Sequence, residues 1–337
     1  MTPQQHPIPS GFTAASTTSD VIKGIDLRGR TAIVTGGYSG LGAETVRAFL
    51  AAGARVIVPA RSVERATAAL VGMGGAEVWS MDLLDAASID SFAERFLSLG
   101  EPLYVLVNSA GIMALPERTL DARGYEQQFA VNHLGHFQLA LRLWPALKRA
   151  GSSRVVSVSS WGHRFSQVHF DDINFERRPY NPWSAYGQSK TANILFAVEL
   201  DRRGRDAGIR AFALHPGSIE TSLGRYLPRE ILKVAGFYDD AGNRVIDPSK
   251  ALKTVEQGAS TSVWCATSPQ LDNRGGVFCE NTDIASIDLS DPRRSWTPAD
   301  SMTNTGVMPY AIDADSAGNL WTLSMRMLNL PSEAVPL

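Results

Sequence analysis

Between Thr31 and Ala60 the chain reads as strand, glycine turn, helix and strand, an order that few folds accept over about thirty residues. Thr31-Ala-Ile-Val-Thr35 is a short apolar run suited to a buried strand. Gly36-Gly-Tyr-Ser-Gly-Leu-Gly42 interrupts it, Ala43 to Ala52 reads as a helix, and Val56-Ile-Val-Pro-Ala60 is a second strand. Two such strands joined through a helix lie parallel in one sheet. Glycines at the turn let the backbone bend tightly and approach a pyrophosphate, which the N-terminus of the next helix receives.

The alternation continues. Ala76 to Met81 is a third strand, Ser88 to Leu99 a helix and Leu103 to Val107 a fourth strand. Gly124 to Ala150 reads as one long helix, Arg154 to Ser160 as a fifth strand and Trp183 to Leu200 as a helix. Ile209 to Leu214 is a sixth strand, Gly258 to Thr267 a helix and Gly276 to Glu280 a closing seventh strand. Strands alternating with helices of this length predict an α/β fold with a single doubly wound parallel sheet of the Rossmann type, about seven strands in all. The domain is expected over residues 27–288, with an irregular lid near 222–250. Residues 1–26, rich in Pro, Thr, Ser and Gln at their start, are expected to form a flexible arm. Residues 289–337 form a C-terminal extension, whose apolar stretch Ala317 to Leu328 suits a helix docked on the same domain.

Charge narrows the function classes. Thirty-two basic against 34 acidic residues leave a net charge of −2, no footprint for nucleic acid or an anionic membrane. No run of eighteen apolar residues is present, and the start lacks the basic and apolar regions of a signal peptide. Cys265 and Cys279 sit outside any CxxC pair and read as free thiols in a reducing compartment. A soluble cytoplasmic protein is expected.

Further along, Tyr186 and Lys190 lie four apart on one helix and share a face. An ammonium beside a phenol favours the phenolate, so the spacing predicts a Tyr186 pKa lowered from its usual value near 10. Thr35-Gly36-x-x-x-Gly40-x-Gly42, Asn108-Ser-Ala-Gly111, Ser160, Tyr186-x-x-x-Lys190 and Pro216-Gly217-x-x-x-Thr221 occur in that order. Together they resemble the short-chain dehydrogenase/reductase family over about Leu27 to Glu280. Twenty-five residues separate Ser160 from Tyr186, with Asp171-Asp-Ile-Asn-Phe175 among them, and Tyr186-x-x-Ser-Lys-x-Ala-Asn-Ile-Leu-Phe196 follows. This stretch resembles the retinol-dehydrogenase-like branch and forms a substrate wall or a solvent-side loop.

The resemblance implies an enzyme that interconverts a carbonyl and an alcohol. By matching position, Tyr186 would be the general acid/base, Lys190 its pKa modulator and ribose ligand, and Ser160 a hydrogen-bond donor to the reacting oxygen. Asn132 would hold a water of a proton relay, or be a helix Asn with an ordinary structural bond. Gly36, Tyr38, Ser39, Gly40, Leu41 and Gly42 would cradle the dinucleotide. Asn108, Ala110 and Gly111 would lie along it, with Ile219 and Thr221 in the Pro216-Gly217 loop fixing its carboxamide. Asp82, next to Leu83, would meet the adenine amine, or else cap the following helix.

At the end of the second strand an NAD site usually carries an acid, whereas here Ala60 is followed by Arg61. A guanidinium can grip a 2′-phosphate, so NADP is preferred with NAD as the second choice; alternatively Arg61 simply opens a solvated helix over Arg61 to Val71. His133 and His136 lack the partners of a metal site, and no metal is expected. Aromatic residues near the insertion suggest an apolar carbonyl substrate reduced with NADPH. Two other classes compete: a non-catalytic cofactor sensor on the same fold, and a tetrapyrrole reductase of the protochlorophyllide type, which depends on active-site cysteines. Homo-oligomerisation is left open.

Overall fold

The central strands are buried along nearly their whole length, as both faces of the sheet are covered, whereas the edge strand Ala76–Ser80 is only partly so. In the computed structural model, which describes residues 4–224, 227–292 and 294–330, the first seven strands are β1 Thr31–Val34, β2 Arg55–Ala60, β3 Ala76–Ser80, β4 Val105–Asn108, β5 Ser153–Val158, β6 Ile209–His215 and β7 Val277–Glu280. All are parallel. A two-residue β8, Asp283–Ile284, turns back antiparallel to β7 after Asn281 and Thr282, both at positive φ (52° and 62°). The order β3-β2-β1-β4-β5-β6-β7-β8 reverses direction between β1 and β4, where a doubly wound sheet opens a ligand crevice.

The helices, in order, are α1 Thr18–Ile22, α2 Gly40–Ala51, α3 Val63–Ala69, α4 Ala86–Ser98, α5 Gln127–Phe129, α6 Gly135–Arg142, α7 Trp144–Arg149, α8 Pro182–Gly204, α9 Arg229–Val234, α10 Val255–Thr267 and α11 Ala314–Met327. One core cluster joins the sheet to α2 and α10, and the other joins its opposite face to α4, α6, α8 and α11. Helix α8 is buried nearly all round, which explains its weak amphipathic pattern. Asn181 caps it, its Oδ1 accepting from the amides of Trp183 and Ser184 at 3.0 and 2.9 Å.

Two expectations need correction. The long helix over Gly124 to Ala150 is broken: Gly124 has φ +86°, Glu126 caps α5, and a π-helical segment spans Ala130–Leu134. The run breaks again at Leu143, where Pro145 starts α7 within its first turn. Residues 4–26, expected as a flexible arm, are docked. Gln5 donates to the carbonyls of Phe278 and Ala285 at 2.9 and 2.6 Å and accepts from the Phe278 amide at 2.8 Å, so its buried amide bonds the backbone at β7 and just beyond β8. Apolar side chains dock it too: Val21 is buried in the core, and Ile8, Phe12, Ile22 and Ile25 pack against it.

Within residues 289–330, α11 buries Leu320, Trp321 and Met325, whereas Leu323 and Leu328 are half-buried. Trp321 stacks on Phe196 of α8 (centroids 6.2 Å, 20°) and meets Phe137 of α6 edge-on at 4.9 Å.

Candidate active site

A cavity of about 1000 Å³ opens beyond the C-terminal ends of the central strands. Gly36, Tyr38, Ser39, Gly40, Leu41 and Gly42 line it. Gly36 has φ +65°, and a Cβ there would lie 3.0 Å from the Ala110 Cα; a Cβ on Gly42 would fall 2.3 Å from the Gly36 carbonyl oxygen. Only glycine permits this turn. Ser39 opens α2 without a side-chain cap, so the first-turn amides face the cavity available to an anion. A backbone cradle that side chains would fill, closed by an uncapped helix N-terminus, fits a dinucleotide pyrophosphate.

The neighbouring segments are tied to this turn. Thr35 Oγ1 accepts from the amides of Ser109 and Ala110 at 2.9 and 3.0 Å, and lies 2.9 Å from His136 Nε2. His136 Nδ1 donates to the Asn132 carbonyl at 3.0 Å, so the same imidazole links the residue after β1 to the π segment. Burial holds it neutral, with its pKa pushed down to about 4. Ala110 and Gly111 line the cavity, but Asn108 does not. Asn108 is buried below the wall, its Nδ2 3.5 Å from Ser157 Oγ and its Oδ1 unpartnered among the described residues. Asp82 and Leu83 are on the wall. Asp85, rather than Asp82, caps α4, and Asp82 Oδ1 accepts from the Leu84 amide at 3.0 Å.

Arg61 precedes the α3 cap, Ser62, and therefore does not open that helix. It is exposed on the cavity wall with no hydrogen bond or ion pair among the described residues. Pro216, Gly217, Ile219 and Thr221 close the other end of the groove.

Ser160 follows β5 and opens the 3₁₀ turn Trp161–Phe165, its Oγ accepting from the Gly162 amide at 3.0 Å. Ser159 donates to the Lys190 carbonyl at 2.7 Å, whereas the Ser160 hydroxyl meets the Tyr186 phenol on the cavity wall. Tyr186 packs against Gly162, where a Cβ would lie 2.9 Å from the phenol ring. Lys190 Nζ donates to the Val158 carbonyl at 2.9 Å and sits 5.6 Å from the Tyr186 ring centroid.

The expected acidification of Tyr186 does not appear. Burial pushes the phenol up to about 12 against an opposing hydrogen bond from Ser160, and burial pushes Lys190 down to about 8. Desolvation is the largest cause of the Tyr186 shift and the cause of the Lys190 shift, since burial penalises the charged form of each group. Asn132 is also committed: Nδ2 donates to the Ile112 carbonyl and Ser189 Oγ at 3.0 and 2.9 Å, and Oδ1 accepts from the Ile112 amide at 2.9 Å.

The long insertion contributes Trp161, Phe165 and Trp183 to the wall. The lid region is not irregular throughout, since α9 lies within it and Ile231 and Leu232 face the cavity. His215 was missed by sequence reasoning: it lines the site, and its Nδ1 accepts from the Trp161 amide at 3.0 Å across 54 positions. Nothing local in sequence signals that contact. His133 lies elsewhere, its Nε2 2.7 Å from Ser324 Oγ, and Cys265 and Cys279 are buried free thiols in α10 and β7. Among the described residues no helix is long and apolar enough to cross a membrane.

A family model described as short chain dehydrogenase matches residues 30–231. A probable oxidoreductase of Streptomyces lividans is 46% identical over 303 residues, covering 88% of this chain and 97% of that one. Human retinol dehydrogenase 12 is 34% identical over 313 residues, covering 91% and 88%. The crystal structure of an uncharacterized protein from Mycobacterium paratuberculosis superposes with a TM-score of 0.69 at 31% identity, covering 96% and 100%. The chain therefore belongs to the short-chain dehydrogenase/reductase family, in its retinol-dehydrogenase-like branch, and is an NAD(P)-dependent oxidoreductase.

Proposed function

We propose that the protein reduces an apolar ketone or aldehyde with NADPH, Tyr186 acting as the general acid. The observation that carries this reading is convergence: Ser160, Tyr186 and Lys190 meet on the wall of the same cavity as the glycine cradle. Gly36 to Gly42 and the α2 N-terminus would hold the pyrophosphate, Asp82 the adenine, Ile219 and Thr221 the carboxamide, and Lys190 the ribose. The unpaired guanidinium of Arg61 would hold a 2′-phosphate, which a carboxylate at that place would repel. Bound NADPH supplies a hydride, and the chain supplies placement and the proton.

Ser160 Oγ donates to the substrate carbonyl oxygen as negative charge grows there. Tyr186 then transfers its phenolic proton to that oxygen, which completes the alcohol. A phenol held at about 12 is protonated across the working range, the state a donor needs and a base does not. Lys190, charged below about 8, stabilises the phenolate left behind. The Asn132 segment fixes this arrangement from the next helix through Ser189, one residue before Lys190. The same reading takes the protein as cytoplasmic, on its free thiols.

The test is a panel of carbonyl compounds with NADPH oxidation followed by absorbance, run beside Tyr186→Phe. The variant should lose roughly 10²–10⁴-fold in kcat, the usual contribution of a general acid. Undiminished turnover by it would end the assignment. In parallel, Arg61→Ala should weaken NADPH binding roughly ten- to a hundredfold, as for one charge-assisted bond, and leave NADH unaffected.

A further inference from the structure

Three aromatic rings on the cavity wall form a row that ends at the reacting phenol. Trp161 meets Phe165 at 5.5 Å and 80°, Phe165 meets Trp183 at 5.3 Å and 49°, and Trp183 meets Tyr186 at 6.4 Å and 83°. All four line the same cavity. Aromatic clusters in proteins usually fill a core, but Phe165 and Trp183 are only half-buried and line this cavity as well as a second depression behind it. We infer that the site selects carbonyl substrates carrying a flat aromatic ring, a conclusion that rests on the proposed carbonyl reduction.

Successive rings are turned steeply against one another, so the row offers both π faces and ring edges. A planar aromatic group can take an offset or edge-to-face position against such a wall. A saturated ring of the same size buries a similar area but has no quadrupole to match it. Elsewhere the apolar lining includes the aliphatic Leu227, Ile231 and Leu232 and one further ring, Phe237, outside the row.

The row is also held in place from behind. Trp161 Nε1 donates to the Asn304 carbonyl at 3.1 Å, and the Trp296 ring meets Trp161 edge-on at 5.6 Å. The Arg164 guanidinium lies 5.2 Å from the Trp161 ring centre. Its Nη2 donates to Asp288 Oδ2 at 3.0 Å and to the carbonyls of Thr305 and Gly306, both at 2.8 Å. These partners all belong to residues 288–306, beyond the span matched by the family, which ends at 231. The C-terminal segment thus fixes Trp161 before substrate arrives, which lowers the ordering cost of binding.

The test compares benzylacetone with the ketone in which cyclohexyl replaces its phenyl ring. Two methylenes insulate the carbonyl from either ring, so the pair differs in aromaticity and little in reactivity. With NADPH and the full-length protein, benzylacetone should be favoured on the order of tenfold in kcat/KM, the value of one good ring–ring contact, with the difference in KM rather than kcat. Trp183→Leu, in the first turn of α8, should bring that ratio close to one, as should Trp161→Leu, while Trp161→Phe should retain most of it. A ratio near one in the native protein overturns the inference, as does a preference that survives both leucine variants. So does reduction of other carbonyl compounds but neither of this pair. If no carbonyl compound is reduced at all, the proposed function itself falls, and this inference with it.

Discussion

The pH dependence of reduction should be set by Lys190, and Tyr186 should not contribute to it below pH ~11. Burial lowers the Lys190 ammonium from 10.5 to about 8, which at about 1.4 kcal/mol per pH unit means that holding the charge there costs roughly 3 kcal/mol. It raises the phenol from 10.0 to about 12, so the donor keeps its proton throughout the measurable range. Above about 8 the ammonium is lost first, and with it the charge that stabilises the phenolate formed during proton transfer. Since kcat/KM reports ionisations of the free enzyme, it should be level near neutrality and fall tenfold per pH unit above about 8 as a single ionisation. The assay is initial-rate reduction in mixed buffers of constant ionic strength, with NADPH binding titrated separately at each pH. Lys190→Met should be slow and should lose the break near 8. A break that persists in that variant would refute the reasoning, as would rates that stay level through pH ~10.

Two further predictions concern stability. Burial raises the Glu126 carboxyl, which caps α5, from 4.5 to about 7, so the folded protein binds a proton that the unfolded chain has released. Stability should therefore fall as pH rises from about 4.5 to about 7, by up to roughly 3 kcal/mol, and urea unfolding of Glu126→Gln should show a flatter profile over that window. Trp321, buried between Phe137 and Phe196, should cost about 3–5 kcal/mol when replaced by Ala, and far-UV circular dichroism should show one unfolding transition, shifted as a whole. A separate early transition would mean that residues 289–330 fold apart from the sheet.

What could be read from the sequence was what is local. Strands buried on both faces leave continuous apolar runs, and each glycine, Asn-Ser-Ala-Gly or Tyr–Lys motif fits within a dozen residues. The eighth strand escaped because two residues after a left-handed turn carry no period. The π segment escaped because Ala130 to Leu134 has the composition of any helix. The N-terminal arm was misjudged on composition: the hydrogen bonds that dock Gln5 are made to backbone about 270 residues further on. Likewise, nothing near Trp161 announces Asn304, and nothing near Arg164 announces Asp288.

The Tyr186–Lys190 pair shows why spacing fixes proximity without fixing chemistry. Four residues along α8 place Tyr186 and Lys190 on one face, as the sequence required, yet the sign of the Tyr186 shift depends on how much water the fold removes. Burial penalises an anion and a cation alike, so it drives the phenol to about 12 and the ammonium to about 8, apart rather than together. The proton therefore rests on the phenol and is held weakly by the amine. In that state the pair is prepared to give a proton to an oxygen on which charge is growing. Taking one from an alcohol calls on the same ammonium, which is charged below about 8 and favours the phenolate. Both directions should therefore depend on the Lys190 charge, and initial rates with NADPH and with NADP should fall together in Lys190→Met.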